Sequence, residues 1–229
     1  MKKWLVILFI LWIPLPALAD LPAIELEAAP IKRGDVESIK RGAKVFAGTC
    51  MACHTLKYLR YDKLARRAGV TYEKMPINVK WPQGSVPPDL SLEADARGVD
   101  WIYTYLHSFY LDPSRPTGFN NLLVPNTMMP DMVMSLQGPQ ALSSDYRLSR
   151  TLNHEWRWYD LLVLQQQGRM SPQEFDATIA DLVNFLDYAA EPYYMESVHI
   201  GARVLAYLLV LFILMYLLKR EYWKDVKKK

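Results

Sequence analysis

The chain has 229 residues, 27 basic and 24 acidic side chains, two cysteines and a formal net charge of +3. With 51% hydrophobic and 12% aromatic residues it is neither disordered nor low-complexity, and two cysteines cannot staple a disulfide scaffold. The positive charge sits at the ends: without Lys2, Lys3 and the stretch from Lys219 onward, Asp20 to Leu218 holds 19 basic and 22 acidic residues. That balance removes the electrostatic argument for nucleic-acid binding and suits a basic partner.

In chain order, Met1-Lys2-Lys3 is basic, Trp4 to Leu15 is almost wholly apolar, and Ala17-Leu18-Ala19 precedes Asp20. This is the pattern of a cleavable export signal. An uncleaved anchor is the alternative, against which stand the short apolar run and its interruption by Pro14 and Pro16. Val36 to Ala52 reads as an amphipathic helix in which Val45 and Phe46 offer apolar contacts and Gly42 permits a close approach. It delivers Cys50-Met51-Ala52-Cys53-His54, both cysteines of the chain in a CxxCH signal for c-type haem attachment. The thiols can add to the haem vinyl groups, and the adjacent histidine can bind the iron from one face. A thioredoxin-like dithiol also fits CxxC, but no strand precedes it and His54 is left without a task. A Cys2His2 zinc site needs a second ligand pair, and the spacing of His107, His154 and His199 supplies none.

Tyr58 to Ala68 is a further helix candidate, and Tyr72 to Pro88, rich in proline and glycine, reads as an irregular covering loop. After the turn Pro87-Pro88-Asp89-Leu90-Ser91, the stretch Ser91 to Tyr110 regains helical character, with Trp101, Ile102, Tyr105 and Leu106 along one side. Leu111 to Gly138 is loop-like, with Pro113, Pro116, Pro125 and Pro130. Ser149 to Gln166 and Pro172 to Ala190 are the last soluble helices. The second starts at Ser171-Pro172, with Glu174 at the capping-box offset, and stops at Glu191-Pro192. No internal repeat, strong β alternation or nucleotide-binding glycine motif appears, so the domain is expected to be mainly α.

From His199 to Leu218 the only charge is Arg203. Those residues would rise about 30 Å as a helix, enough to cross a hydrocarbon core. Arg203 can snorkel to the near interface, and Tyr207 and Tyr216 suit the two headgroup regions. The tail from Lys219 carries six basic and two acidic residues, as on a cytoplasmic face. The expected organisation is a signal peptide at 1–19, a periplasmic haem domain at 20–198, a transmembrane anchor at 199–218 and a cytoplasmic basic tail at 219–229.

His54 is the expected proximal ligand; the opposite one stays open on the residues alone. His107 or His154 would give a bis-histidine site, the Met128-Met129 pair could supply a thioether, and Met132 and Met134 belong to the same run. A vacant position would suit gas or peroxide chemistry. A neutral thioether favours reduced iron and raises its potential, and Met129-Pro130 lies in a proline-bounded loop that can present sulphur without committing a helix.

Four blocks then occur in order: RGAKVFAGTCMACHTLKYLRY, PPDLSLEADARGVDWIYTYL, RPTGFNNLLVPNTMMPDM, and DLVNFLDYAAEP followed by the span and LLKREYWKDV. Their order through nearly the whole chain beyond the signal resembles the cytochrome c1 family, the haem c subunits of the cytochrome bc1 complex, in its proteobacterial form. The resemblance implies a mainly α, class I-like cytochrome c haem domain with extended loops and one C-terminal transmembrane helix. It implies one covalent haem c, attached at Cys50 and Cys53, with the iron held by His54 and a methionine directly before proline, Met129. Met128 stands where the family pattern has glycine. Arg97 in ADARG is implied to lie near a haem propionate, where a guanidinium makes a charge-assisted hydrogen bond. Pro88 is implied to pack at the haem edge, and Trp101, Tyr103 and Tyr105 read as core.

The resemblance also implies a setting in the bacterial inner membrane. Such a subunit is non-catalytic: it takes an electron from the Rieske iron–sulphur protein and passes it to a soluble or membrane-attached cytochrome c. Cytochrome b performs the quinol chemistry, in a dimeric complex within the lipid bilayer. The competing readings are a membrane-anchored c-type cytochrome of another respiratory assembly, and a haem-based peroxidase or sensor.

Overall fold

The computed structural model describes residues 24–77, 86–146 and 155–226. The expected signal segment, His154 and the last three lysines lie outside the described residues. Helix α1 (Val36–Val45) starts where the Asp35 carboxylate accepts the backbone N–H groups of Glu37 and Ser38. It runs on as a π-helical turn, Phe46–Cys50, closed by the Met51 N–H on the Phe46 carbonyl at 3.0 Å. Such a wide turn is uncommon and clusters at functional sites; here it ends on the first cysteine of CMACH.

The remaining elements are α2 (Lys63–Arg67), α3 (Glu93–Arg97), α4 (Val99–His107), β1 (Phe109–Leu111), β2 (Phe119–Asn121), α5 (Met134–Gln137), β3 (Gln140–Leu142), α6 (Trp158–Leu161), β4 (Leu162–Leu164), α7 (Pro172–Ala190) and α8 (Tyr194–Val226). Among the described residues two antiparallel strand pairs form, β1 on β2 with Tyr110 opposite Asn120, and β3 on β4 with Ala141 opposite Val163. The fold is mainly α, as expected.

Some segments differ from the sequence expectation for local reasons. The helix expected over Ser91 to Tyr110 divides at Gly98, whose φ of +91° only glycine adopts easily, and its last residues leave as β1. Tyr58 to Ala68 splits into a 3-10 turn, Lys57–Leu59, and α2, which restarts where Asp62 accepts the Ala65 N–H at 2.7 Å. Of the helix expected over Ser149 to Gln166, the described part is the single turn α6 followed by a strand, β4. Leu162-Val163-Leu164 favours extended backbone and finds its partner in β3. In contrast, α7 spans the expected residues, with both halves of the Ser171–Glu174 capping box formed.

The core is built where α1 crosses α7. A Cβ added at Gly42 would fall 1.9 Å from the Asp181 carbonyl oxygen, so the two backbones touch there. Phe46 packs on Phe185 with ring centres 5.7 Å apart. Around this contact, Arg41 forks onto Asp181 at 2.5 and 2.8 Å, and Arg33 forks onto Asp187 at 2.7 and 2.6 Å. The buried Asn184 amide donates to Ser38 Oγ at 2.9 Å and to the Lys32 carbonyl at 3.1 Å.

Helix α8 has 33 residues, roughly 50 Å of rise. Within its segment Glu196–Lys224 the most apolar stretch of 18 residues has a mean hydropathy of 2.3, and none of that stretch is buried against the rest of the chain. An apolar helix with no protein partner is what a bilayer requires. Among the described residues it is the one helix of this kind, and the expected span 199–218 lies inside it.

Replacing Gly42 by alanine forces α1 and α7 apart. We expect a loss of about 1–3 kcal/mol or more in denaturant unfolding, whereas Lys44→Ala, on the exposed side of the same helix, shifts the midpoint little.

Candidate haem site

CMACH folds on itself: the N–H groups of Cys53 and His54 both donate to the Cys50 carbonyl, at 3.0 and 2.9 Å. This turn sets the three residues in one tight stretch of backbone at the end of the π-helical turn. Both cysteines are free thiols. Burial, with Cys53 nearby, pushes the Cys50 thiol up to about 12, and burial raises Cys53 too. A working dithiol needs the opposite, a depressed thiol pKa. Among the described residues no group of three or more His, Cys, Asp or Glu side chains is placed to hold a metal ion.

The buried His54 ring donates its Nδ1–H to the Pro88 carbonyl at 2.9 Å. Burial pushes the imidazole pKa down, outweighing the Pro88 carbonyl and the charges of Glu93 and Asp89. The ring is therefore neutral, with its Nε2 lone pair available to a metal, and its orientation is fixed from behind.

The Pro88 carbonyl is itself held in place. Asp89 Oδ2 accepts the Thr55 hydroxyl at 2.5 Å and the Lys57 N–H at 3.0 Å, while its Oδ1 accepts the Ser91 N–H at 3.0 Å. The Leu90 N–H reaches the Thr55 carbonyl at 2.9 Å, and Tyr58 N–H reaches Ser91 Oγ at 3.2 Å. Asp89 thus ties the PPDLS turn to the residues just after CMACH. Burial works against its charge, but the hydrogen bonds from Ser91, Thr55 and Lys57 prevail and hold its carboxyl below the usual range.

Met129 comes from the loop between β2 and α5, half-buried against the core. Met128, its neighbour, is exposed, with its sulphur 3.8 Å from the Arg115 guanidinium. The two sulphurs therefore occupy different environments. The loop is pinned by the asparagines of β2: Asn120 Oδ1 accepts the N–H groups of Asn121 and Asn126 at 2.9 and 2.8 Å, and Asn121 Oδ1 accepts those of Leu123 and Val124 at 2.9 and 3.2 Å. The Tyr105 hydroxyl points to Met129 Sδ at 3.5 Å.

The structure also places the other candidates. His107 is 1% exposed, with Nδ1 on the Tyr103 carbonyl at 2.8 Å and Nε2 on Asp176 at 3.2 Å. Both nitrogens are committed, so it is not free to bind a metal. His199 lies on the membrane helix. The Arg97 guanidinium rests 4.3 Å over the Trp101 ring with its Nε on Glu93 at 2.5 Å, and no hydrogen bond among the described residues takes its terminal nitrogens. Sequence reasoning missed Asp89, Asn120 and Asn121, and read Tyr105 as core; only the asparagine pair beside proline-bounded backbone offered a local signal.

These residues suit a flat apolar group. Cys50, Leu90, Trp101, Tyr105, Met129 and Leu136 pack against the core yet stay only partly buried. A covalent c-type haem would be held by Cys50 and Cys53, with His54 Nε2 and Met129 Sδ as the available iron donors.

The model of the Cytochrome C1 family matches residues 27–80 and 162–226. The chain is 40% identical over 250 residues to the cytochrome c1 of Allochromatium vinosum, covering 99% of this chain and 100% of that one. The chain belongs to the cytochrome c1 family. It is also 36% identical over 239 residues to the ammonia monooxygenase gamma subunit of Nitrosomonas europaea, covering 96% and 97% of the two chains. The mitochondrial cytochrome c1 haem protein of Neurospora crassa is more distant, at 25% identity over 87% of this chain and 65% of that one.

As a member of the family, the chain is a membrane-anchored electron carrier whose cofactor is covalently bound haem c. Its C-terminal helix makes the single pass, with the haem domain on the periplasmic side and a short tail on the cytoplasmic side.

Asp89→Ala removes the charged acceptor that holds Pro88 behind His54, and should cost about 1–3 kcal/mol near neutral pH. Because the Asp89 pKa is depressed in the fold, its contribution is complete above the ordinary aspartate value of about 3.9 and is lost as pH falls through the folded value. Unfolding measured from about pH 7 to about pH 3 should show the variant and parent converging in acid.

Proposed function

We propose that this chain is the haem c subunit of a quinol–cytochrome c oxidoreductase. It takes electrons from a Rieske iron–sulphur protein and passes them to a soluble or membrane-attached cytochrome c, beside cytochrome b in a dimeric complex. One observation carries the reading: His54, closing a CxxCH turn, is held by the Pro88 carbonyl with Nε2 left free, in a chain similar along its length to a cytochrome c1. Cys50 and Cys53 would hold haem c through thioether links, and His54 and Met129 would hold its iron. Pro88 packs at the haem edge and orients His54, and Arg97 offers its terminal nitrogens to a propionate. Residues 1–19 are the export signal, 20–198 the periplasmic domain, 199–218 the anchor and 219–229 the basic tail.

When bound, haem c supplies a one-electron Fe(III)/Fe(II) couple. The chain sets the conditions. The His54 Nδ1–H, donated to a carbonyl, fixes the ring and makes Nε2 a better base. Met129 contributes a neutral, polarisable thioether, which favours the reduced state. Leu90, Trp101 and Tyr105 offer partly buried apolar surface to the group, and α8 keeps the domain at the membrane. Nothing in this assignment asks the chain to transform a substrate; the quinol chemistry falls to cytochrome b.

A second reading is carried by the Nitrosomonas relative: the same electron-carrier chemistry in an ammonia-oxidising assembly. Purification of the intact complex from membranes distinguishes the two. Cytochrome b and a Rieske protein should co-purify; recovery with monooxygenase subunits and without cytochrome b would carry the second reading.

Met129→Leu should give a haem protein with a lowered midpoint potential that binds carbon monoxide, whereas Met128→Leu should leave the reduced-minus-oxidised spectrum unchanged. Ready carbon monoxide binding by the parent would point instead to a peroxidase or sensor with a vacant iron position.

A further inference from the structure

Three hydrogen bonds run in sequence from the Met129 backbone to its own sulphur. The Met129 N–H lies 3.3 Å from Thr127 Oγ1, Thr127 Oγ1 lies 3.2 Å from the Tyr105 hydroxyl, and that hydroxyl lies 3.5 Å from Met129 Sδ. The directions follow from what each group can do. A backbone N–H only donates, so Thr127 oxygen accepts from Met129. A thioether only accepts, so Sδ takes its hydrogen from Tyr105. The middle contact is symmetric by geometry, but in one direction alone does every hydrogen find a partner: Thr127 donates to Tyr105. The reverse leaves the Thr127 hydrogen outside the ring and Sδ without a donor.

We propose that Tyr105 is a positioning residue for the axial thioether, its hydroxyl closing a three-membered hydrogen-bond ring through Thr127 and Met129 that selects this sulphur and raises the midpoint potential. The proposal rests on the reading of Met129 as the axial ligand.

The phenol does not depend on the ring for its own place. Its face stacks on Trp101 at 5.1 Å and 9° between planes, and Phe109 meets it at 4.9 Å and 67°. At the base of the side chain, the Tyr105 carbonyl accepts the Asn121 amide at 2.9 Å, from the same asparagine that pins the methionine loop. Tyr105 is therefore a fixed donor aimed at a thioether on a separate segment. Thr127 is buried as well, so an unpaired hydroxyl there would be costly. Met128 has no part in the ring; its sulphur faces Arg115 at the surface.

The consequence is electronic and positional. A hydrogen bond to sulphur draws on its electron density, making it a poorer donor to oxidised iron, and hydrogen bonding around the ligands is one lever by which a protein sets haem potential. The ring also ties Sδ to its own backbone N–H through two side chains, which limits rotation of a flexible methionine.

The test is Tyr105→Phe in the full-length chain, purified in its membrane complex with haem attached. Phenylalanine keeps the stacking and removes only the hydroxyl. The readouts are the equilibrium midpoint potential and the red absorption band of thioether-ligated ferric haem. We expect haem retention, a shifted band, and a roughly two- to tenfold change in the electron-exchange equilibrium toward the oxidised form, about 20–60 mV lower at 59 mV per decade. Thr127→Val breaks the ring from its other side, should shift the potential the same way, and decides the matter if Tyr105→Phe loses haem. The double variant should move little further than Tyr105→Phe alone, because both changes open one ring. Met128→Leu, at the exposed sulphur that faces Arg115 and has no part in the ring, should leave the potential at that of the parent. A parental midpoint and band in Tyr105→Phe, with the band abolished by Met129→Leu, would overturn the ring and leave the ligand standing. A band that survives Met129→Leu would remove the ligand assignment and the ring with it.

Discussion

The backbone contact between α1 and α7 at Gly42 is the constraint on which the rest of the molecule hangs. The attachment motif lies at the end of α1, and α7 runs through a short Glu191-Pro192-Tyr193 link into the membrane helix. A side chain at position 42 would separate the two helices, and with them the haem segment from the segment that leads into the membrane. The polar fittings around the contact act in the same sense. Arg41, Arg33 and Asn184 bind one helix to the other or to the loop before it, through two forked ion pairs and a buried amide. The ion pairs are partly solvent-exposed and add little energy singly. Their forked geometry restricts sliding, which matters more where a glycine allows close approach in several registers.

The haem site is assembled differently, by short hydrogen-bond systems that fix loops. On the His54 side one carboxylate, Asp89, gathers a hydroxyl and two backbone N–H groups and so fixes the Pro88 carbonyl. On the Met129 side the amides of Asn120 and Asn121 gather four backbone N–H groups. Each device satisfies loop backbone that has no ladder to join, which is the requirement for burying an irregular segment. Helices carry the attachment motif and the core; the loops supply the side chains that would hold the iron.

What the sequence disclosed follows from how local each signal is. The CxxCH turn, the Ser171–Glu174 box and the Glu191-Pro192 stop are each contained within a few residues, and each appears where expected. The membrane helix was legible from composition alone. The strand pairs were not, because strands as short as Phe109–Leu111 and Leu162–Leu164 carry almost no alternation and are defined by partners elsewhere in the chain. His107 is a candidate for the opposite ligand on the residues alone, and the fold places Asp176 and the Tyr103 carbonyl on its two nitrogens. Tyr105 has the spacing of a core residue, and it is one; that its hydroxyl meets a methionine 24 positions away is a product of the tertiary fold.

Covalent attachment changes what these non-local contacts are for. In a protein that binds its cofactor reversibly, every contact contributes first to occupancy. Here Cys50 and Cys53 would keep the group in place whether or not the iron ligands are ideal. The interactions around His54 and Met129 are then released from retention and can act on orientation and electron donation. This accounts for the different character of the two sets of residues. The cysteine side is a self-contained turn that needs only its own backbone hydrogen bonds. His54 and Met129 make contacts with residues from Thr55, Pro88 to Ser91, Tyr105 and Asn120 to Thr127, which would place one ring nitrogen and one sulphur if these are the iron donors. Such investment in two atoms makes physical sense where the quantity being set is a redox potential, to which small displacements and single hydrogen bonds contribute directly.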